Sequence, residues 1–192
     1  MDKRNSEETK KAILEAARQL VCEYEDLNQV TAREITKRAG VNLAMINYCF
    51  GSKEALFYEV FEKMKEEAAK ENPHFYDIIH SKRSPKEKLI ELHVEATKFM
   101  LEHLAMCRAV MKYILLERPV DGDRGSLIYI MAHFNGKKSE GECRRIAFEL
   151  SGLHELLILR AEELEEVCGV DLKDEKVVRE IVTEHVERYL PG

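Results

Sequence analysis

Leu43, Ala44, Asn47 and Tyr48 recur at i, i+1, i+4 and i+5, so a helix over this segment gathers them on one side and places Ile46, Cys49 and Phe50 on another. The first side carries the groups that read a base-pair edge. A carboxamide pairs bidentately with adenine, Leu and Ala meet a thymine methyl, and a phenol hydroxyl reaches phosphate or base. Met45 borders the same side, and the second side is built for burial. Immediately downstream, Ser52 of Gly51-Ser52-Lys53-Glu54 is placed to cap a following helix. Free N–H groups, the positive end of a helix dipole and the Lys53 ammonium would then converge, which is the chemistry of a phosphate site.

The elements that must position these groups are legible on either side. Thr31 and Glu34 have the spacing of a capping box, in which hydroxyl and carboxylate each satisfy an orphan backbone N–H, so a short helix is expected from Thr31 to Ala39. Ile35 and Ala39 lie one turn apart on it, and Gly40 supplies the backbone freedom for a sharp stop. Asn42 then caps the helix that bears Asn47 and Tyr48. Two short helices joined by a tight turn, followed at once by a third, give the layout of a DNA-reading head. The same spacing also describes a small three-helix packing unit that docks another protein, and spacing alone does not separate the two.

The run AGVNLAMINYCFGSKEAL resembles the signature of the TetR family of transcriptional regulators: an Ala-Gly-Val turn, a short recognition helix ending in a Tyr-x-Phe-like pattern, and Ser-Lys-Glu-x-Leu. The resemblance extends back to Ile13-Leu14-Glu15-Ala16-Ala17 and covers about the first third of the chain. It implies an operator-binding protein, with Thr31, Arg33, Asn42, Leu43, Ala44, Met45, Asn47, Tyr48 and Lys53 at the DNA. It also implies a palindromic operator, a homodimer joined by a four-helix interface near the C-terminus, and a helical body enclosing a small-molecule effector. Two features depart from the family pattern. Asn47 stands where many members carry a backbone-gripping Tyr, a role Tyr48 can assume, and Tyr24 to Val30 lacks the Gly usual between the first two helices. The first helix is therefore expected to run on or to end irregularly.

The net charge of -6 has the wrong sign for indiscriminate nucleic-acid coating, so any DNA binding must come from local charge. Locally the sign reverses: Arg33, Lys37, Arg38 and Lys53 outweigh Glu34 and Glu54, and Lys3, Arg4, Lys10 and Lys11 add to them. The five cysteines, Cys22, Cys49, Cys107, Cys143 and Cys168, are scattered and free of CxxC spacing. That argues against a disulfide framework or zinc ribbon and fits reduced thiols in a cytoplasm. Neither a signal segment nor a run approaching a membrane span is evident.

Helical periodicity dominates throughout, and the fold class expected is all-α with about nine helices. Residues 1–55 are read as a three-helix helix-turn-helix domain and residues 56–192 as a larger effector-binding and dimerisation domain. The first helix is expected from about Ser6 to Glu25 and the fourth from Ser52 to about Glu71. Asn72-Pro73 ends that helix, Ser84-Pro85 starts another, and Asp121-Gly122-Asp123 marks a turn. Helices are then expected at Pro85–Leu104, Ala105–Leu116, Ser126–Phe134, Ser139–Cys168 and Asp174–Leu190. The last two carry apolar stripes wide enough to pack against both their own subunit and a second copy.

Other chemistry is mostly declined. His103 and Cys107 are four apart, but no third ligand is evident, so no metal is assigned. Gly136-Lys137-Lys138-Ser139 lacks the earlier glycine and leading strand of a phosphate loop, and no GxSxG elbow or cysteine-nucleophile signature appears, so neither cofactor nor enzymatic activity is expected. His93, Phe99, Met100, His103, Met111, Tyr129, His133 and His154 are the candidates for an effector pocket, each equally explicable as core packing. The function expected is a DNA-binding regulator, a repressor released by a small molecule. The alternative is a ligand-binding or adaptor protein whose head docks another protein.

Overall fold

A computed structural model describes residues 3–24, 26–120 and 124–192, without the side chains of residues 3–5 and 124. The described residues form eleven α-helices and no strand: α1 Lys3–Glu23, α2 Ala32–Ala39, α3 Ala44–Phe50, α4 Lys53–Glu71, α5 Pro73–His80, α6 Pro85–Glu102, α7 Leu104–Leu116, α8 Arg124–Phe134, α9 Glu140–Leu159, α10 Ala161–Cys168 and α11 Glu175–Tyr189. The all-α expectation holds, and the count exceeds nine for two physical reasons. Asn72-Pro73 starts a helix as well as ending one: the Asn72 Oδ1 accepts the His74 N–H at 3.0 Å and Pro73 fills the first helical position, giving α5. The single helix expected at Ser139–Cys168 breaks at Arg160 (φ -103°, ψ 16°) into α9 and α10. Neither Gly nor Pro marks that break, so the periodicity reads straight through it.

Two compact units are distinguished by their internal contacts: Met1–Glu67 with Ala105–Glu117, and Ala68–Leu104 with Arg118–Gly192. In the first, α1 packs on α2 and α3, burying Ile13, Ala16, Ala17 and Leu20 with Ile35 and Ile46; Leu56, Phe57, Val60 and Phe61 of α4 are buried as well. The stretch after α1 closes without glycine. Asp26 Oδ1 accepts the Asn28 N–H at 3.0 Å, and Leu27 and Val30 turn inward as anchors. The irregular ending expected of the first helix is this turn, with α1 stopping at Glu23; Glu25 lies outside the described residues, as do Asp121, Gly122 and Asp123.

In the second unit, α6, α8, α9 and α11 pack around Leu89, Val94, Ile130, Leu150, Val182 and Val186. The capping boxes Ser84–Glu87 and Ser139–Glu142 fix the starts of α6 and α9. The apolar stripe of α11 is absorbed by this core: Val178, Val182 and Val186 are buried, and Glu180, Glu184, Glu187 and Arg188 face outward. Exposed apolar side chains include Ile128 and Met131 of α8, Phe148, Leu153 and Leu156 of α9 and Val167 of α10, besides Tyr76 and Ile79 of α5 and Val120. Arg118 and Glu155 form a nearly buried ion pair in this unit, with N···O 3.0 Å. Among the described residues no helix is long and apolar enough to cross a membrane.

Candidate nucleic-acid interface

The geometry of α2 and α3 follows from their ends. Thr31 Oγ1 accepts the Glu34 N–H at 3.2 Å and the Glu34 carboxylate accepts the Thr31 N–H at 3.0 Å, closing the capping box. Glu34 also accepts the Tyr24 hydroxyl at 2.9 Å. These donors, the Thr31 backbone foremost, hold the Glu34 carboxyl below the usual carboxylate range, and the same bond pushes the Tyr24 phenol up. Gly40 adopts φ 67°, ψ 31°, the left-handed stop that lets Val41 N–H reach the Thr36 carbonyl at 3.0 Å. Asn42 Oδ1 then accepts the Ala44 N–H at 2.9 Å and starts α3.

Every residue expected on the reading side is placed on one surface of α3 or its entry. Ile46 is buried, Cys49 and Phe50 half-buried and Met45 half-buried, whereas Leu43 (46 % exposed), Ala44, Asn47 and Tyr48 (68 % exposed) stand clear of the chain. Thr31, Arg33 and Asn42 are exposed beside them. Ser52 Oγ accepts the Ala55 N–H at 3.0 Å, so the start of α4 is capped as expected.

The basic groups divide into free and engaged. Arg33, Lys37 and Lys11 are exposed. Arg38 Nη2 lies 2.8 Å from Glu23, which raises the Arg38 pKa and lowers that of Glu23, so this pair adds no net positive field. Lys10 is 2.8 Å from Glu59 and lies over the Phe50 ring. Lys53 Nζ donates to the Val30 carbonyl at 3.0 Å and sits over the Phe57 ring. The Lys53 stem therefore fastens the turn before α2 to α4, a role its sequence position did not reveal. Its remaining N–H groups are the ones that can reach phosphate. The side chains of Lys3 and Arg4 lie outside the described residues.

In the second unit, two of the pocket candidates meet. His93 Nδ1 is 2.7 Å from His154 Nδ1, His93 Nε2 is 3.0 Å from Ser126 Oγ, and His185 stacks on His154 with ring centroids 5.3 Å apart. Other candidates are used locally: Phe99 packs against His103, and His133 Nε2 lies 3.2 Å from the Pro191 carbonyl oxygen. Tyr129 packs on the core, where burial pushes its phenol pKa up; Met100 is buried in α6 and Met111 in α7 of the first unit. The pairing of His103 with Cys107 on one helix does not form, because α6 ends at Glu102 and His103 leaves the helix at φ -113°. The cleft beside His154 is lined by Thr97, Leu157, Ile158, Leu172, Val178, Ile181 and Val182. None of these seven was expected at a pocket from the sequence, where Leu157, Val178, Ile181 and Val182 read only as apolar stripe, since aliphatic residues at helical spacing look alike whether they line a core or a cleft.

Burial, helped by the neighbouring His93 and His185, depresses the His154 pKa from 6.5 to about 2. Above pH 6.5 both folded and unfolded chains carry a neutral imidazole there, and no stability depends on it. As pH falls below 6.5 the unfolded chain takes up a proton the folded chain refuses, so stability falls by about 1.4 kcal/mol per pH unit. Carboxylates with depressed pKa, such as Glu34, Glu87 and Glu142, act in a separate window below 4.5. Urea denaturation at pH 7 and pH 5 is expected to show a loss of which His154 supplies about 2 kcal/mol, removed in His154→Gln, with a smaller remainder from His185, whose pKa burial also lowers. An equal loss in the variant would place the titrating group elsewhere.

Comparison with known proteins comes to the same segment. Residues 13–60 match the family described as bacterial regulatory proteins, tetR family. Among solved structures, a TetR transcriptional regulator from Rhodococcus sp. RHA1 is similar at 22 % identity and TM-score 0.64, over 97 % of this chain and 97 % of that one. That likeness concerns the fold. The native NalD structure, the secondary repressor of the MexAB-OprM multidrug efflux pump in Pseudomonas aeruginosa, aligns at 19 % identity with TM-score 0.43 over 97 % of each chain. Comparison with characterised proteins by sequence finds no match.

Proposed function

We propose that this chain, which belongs to the tetR family of bacterial regulatory proteins through residues 13–60, is a homodimeric cytoplasmic repressor released from a palindromic operator by a small molecule. The carrying observation is the outer face of α3: Leu43, Ala44, Asn47 and Tyr48 are exposed together on a helix whose opposite side is packed inward. A face so poor in charge is unusual for plain solvent and suits a major groove. Residues 1–55 act as the DNA-reading domain and residues 56–192 as the effector-binding and dimerisation domain. Arg33, Lys37 and the remaining Lys53 donors supply phosphate contacts, so affinity falls steeply with salt.

Two heads require a dimer, and the apolar side chains exposed on α8 and α9 are where the second copy packs. From the sequence the interface is expected on Ser139–Cys168 and Asp174–Leu190, the segments of α9, α10 and α11; the charged outward residues of α11, Glu180, Glu184, Glu187 and Arg188, favour α8 with α9. Effector binding acts through α4: Ser52 and Lys53 orient its start beside α3, and its far end lies in the sequence of the second unit. A tilt of this helix changes the spacing of the two reading helices, which a duplex tolerates poorly.

Leu156→Glu places a charge in the centre of the proposed interface. Sedimentation is expected to shift from dimer to monomer, and mobility shift on the DNA flanking the chain's own gene to weaken by more than about tenfold, one head having lost its partner. A variant that stays dimeric puts the interface elsewhere. A dimeric wild-type chain with no preference for that DNA over random duplex counts against an operator next to its gene.

A further inference from the structure

Gly152 stands in the interior of α9, with Phe148 one turn before it and Leu156 one turn after. Both flanking side chains are exposed, Phe148 at 41 % and Leu156 at 49 %. A glycine at such a position weakens a helix relative to alanine, because it loses the most backbone freedom on folding. Nothing in its own chain asks for it. Gly152 is not among the glycines with positive φ, which are Gly40, Gly51, Gly136 and Gly169, and a Cβ built on it would meet no atom within 4 Å. The requirement for a missing side chain therefore comes from outside the chain.

On the surface of α9 this glycine is a notch between two apolar knobs. That relief is self-complementary: in a twofold contact residue i meets j and j meets i, so an antiparallel crossing at Gly152 sets Phe148 of one copy against the partner's Leu156. The absent Cβ lets the two backbones approach at the short end of the usual interaxial range of about 8–10 Å.

Charge selects the same occupant and the same direction. Residues 137–145 carry Lys137, Lys138, Arg144 and Arg145 against Glu140 and Glu142, a net charge of +2. Residues 159–167 carry Arg160 against Glu162, Glu163, Glu165 and Glu166, a net charge of -3. The two stretches are equally distant from Gly152 along the sequence. An antiparallel pair of α9 helices lays the positive flank of each copy on the negative flank of the other, whereas a parallel pair opposes like with like.

We propose that α9 crosses its own copy antiparallel at Gly152, so that the twofold axis of the dimer passes through this residue. The inference rests on the dimer reading above and fixes its register, which the exposed side chains alone leave open.

Disulfide cross-linking of the full-length chain tests the register, with the exposed Cys22 and Cys168 replaced by serine. On oxidation with copper phenanthroline, Gly152→Cys is expected to give a covalent dimer, since a residue on the axis meets its own copy within the ~4.4–6.8 Å between Cα atoms that a disulfide needs. Phe148→Cys and Leu156→Cys each lie about 6 Å along the helix from the axis, which leaves like residues about 12 Å apart. Neither should link to itself, and a mixture of the two should link one to the other. Gly152→Leu keeps a strong helix former and meets nothing in its own chain, so helix content should hold while the dimer dissociation constant in sedimentation rises at least about tenfold. A dimeric chain without a link at position 152, self-linking of Phe148→Cys and Leu156→Cys as strong as that of Gly152→Cys, or a Gly152→Leu chain that dimerises like its parent overturns the crossing and leaves the dimer standing. A parent chain that sediments as a monomer overturns the dimer reading itself, and the crossing with it.

Discussion

Asn47→Ala with Tyr48→Ala is expected to eliminate sequence-specific DNA binding and leave the fold untouched. A good bidentate contact to a base discriminates by about 1–3 kcal/mol, so its loss from two heads costs about 2–6 kcal/mol. That is a fall of roughly thirty- to twenty-thousandfold in affinity for the operator. Weak binding to any duplex should survive, because Arg33 and Lys37 are untouched and their phosphate contacts carry no sequence information. Both side chains stand clear of the protein, and substitutions at such positions move stability by only about 0.5 kcal/mol. Mobility shift on operator and random duplexes, with a thermal melt of each protein, reads both halves. Retained specificity in the double variant would mean that α3 does not read bases.

Arg118→Ala is expected to be the most destabilising single truncation outside the apolar core. Arg118 and Glu155 lie 3.0 Å apart with side chains only 12 % and 10 % exposed. Removing one partner of such a pair deprives the other, nearly buried charge of this counter-ion, at about 3–5 kcal/mol. For a chain of this size that is roughly 10 °C in melting temperature. Replacing both, as Arg118→Met with Glu155→Leu, should recover much of the loss, because neither charge of this pair is then left opposite an empty place. Urea unfolding of the two singles and the double separates these terms. A single variant as stable as the parent would show that other partners of Glu155 suffice.

The short helices of the first unit were legible because their ends are written in side-chain chemistry. Thr31 with Glu34, Gly40, Asn42 and Ser52 each have one local role, and each fills it. The second unit was legible in its caps, Ser84 and Ser139, and less so elsewhere. The break at Arg160 carries no punctuation, and Asn72-Pro73 is a sequence that both ends and begins helices. The outward face of α3 could be assigned from periodicity because residues one turn apart share a face, which sets Leu43, Ala44, Asn47 and Tyr48 apart from the buried Ile46. The engagement of Lys53 with the Val30 carbonyl and of Arg38 with Glu23 could not, since these partners lie 23 and 15 residues away. The same limit applies to the histidines: His93 and His154 are 61 residues apart, and only packing reveals that they share a proton.

Selection of duplexes from a random-sequence pool tests the central claim most directly, because it asks at once whether α3 reads bases and whether two copies do so together. The wild-type chain should enrich an inverted repeat whose half-sites lie about one helical turn apart or a multiple of it, and the Asn47→Ala/Tyr48→Ala variant should enrich nothing. No enrichment by the wild type, a lone unpaired half-site, or the same motif from the double variant would contradict the account.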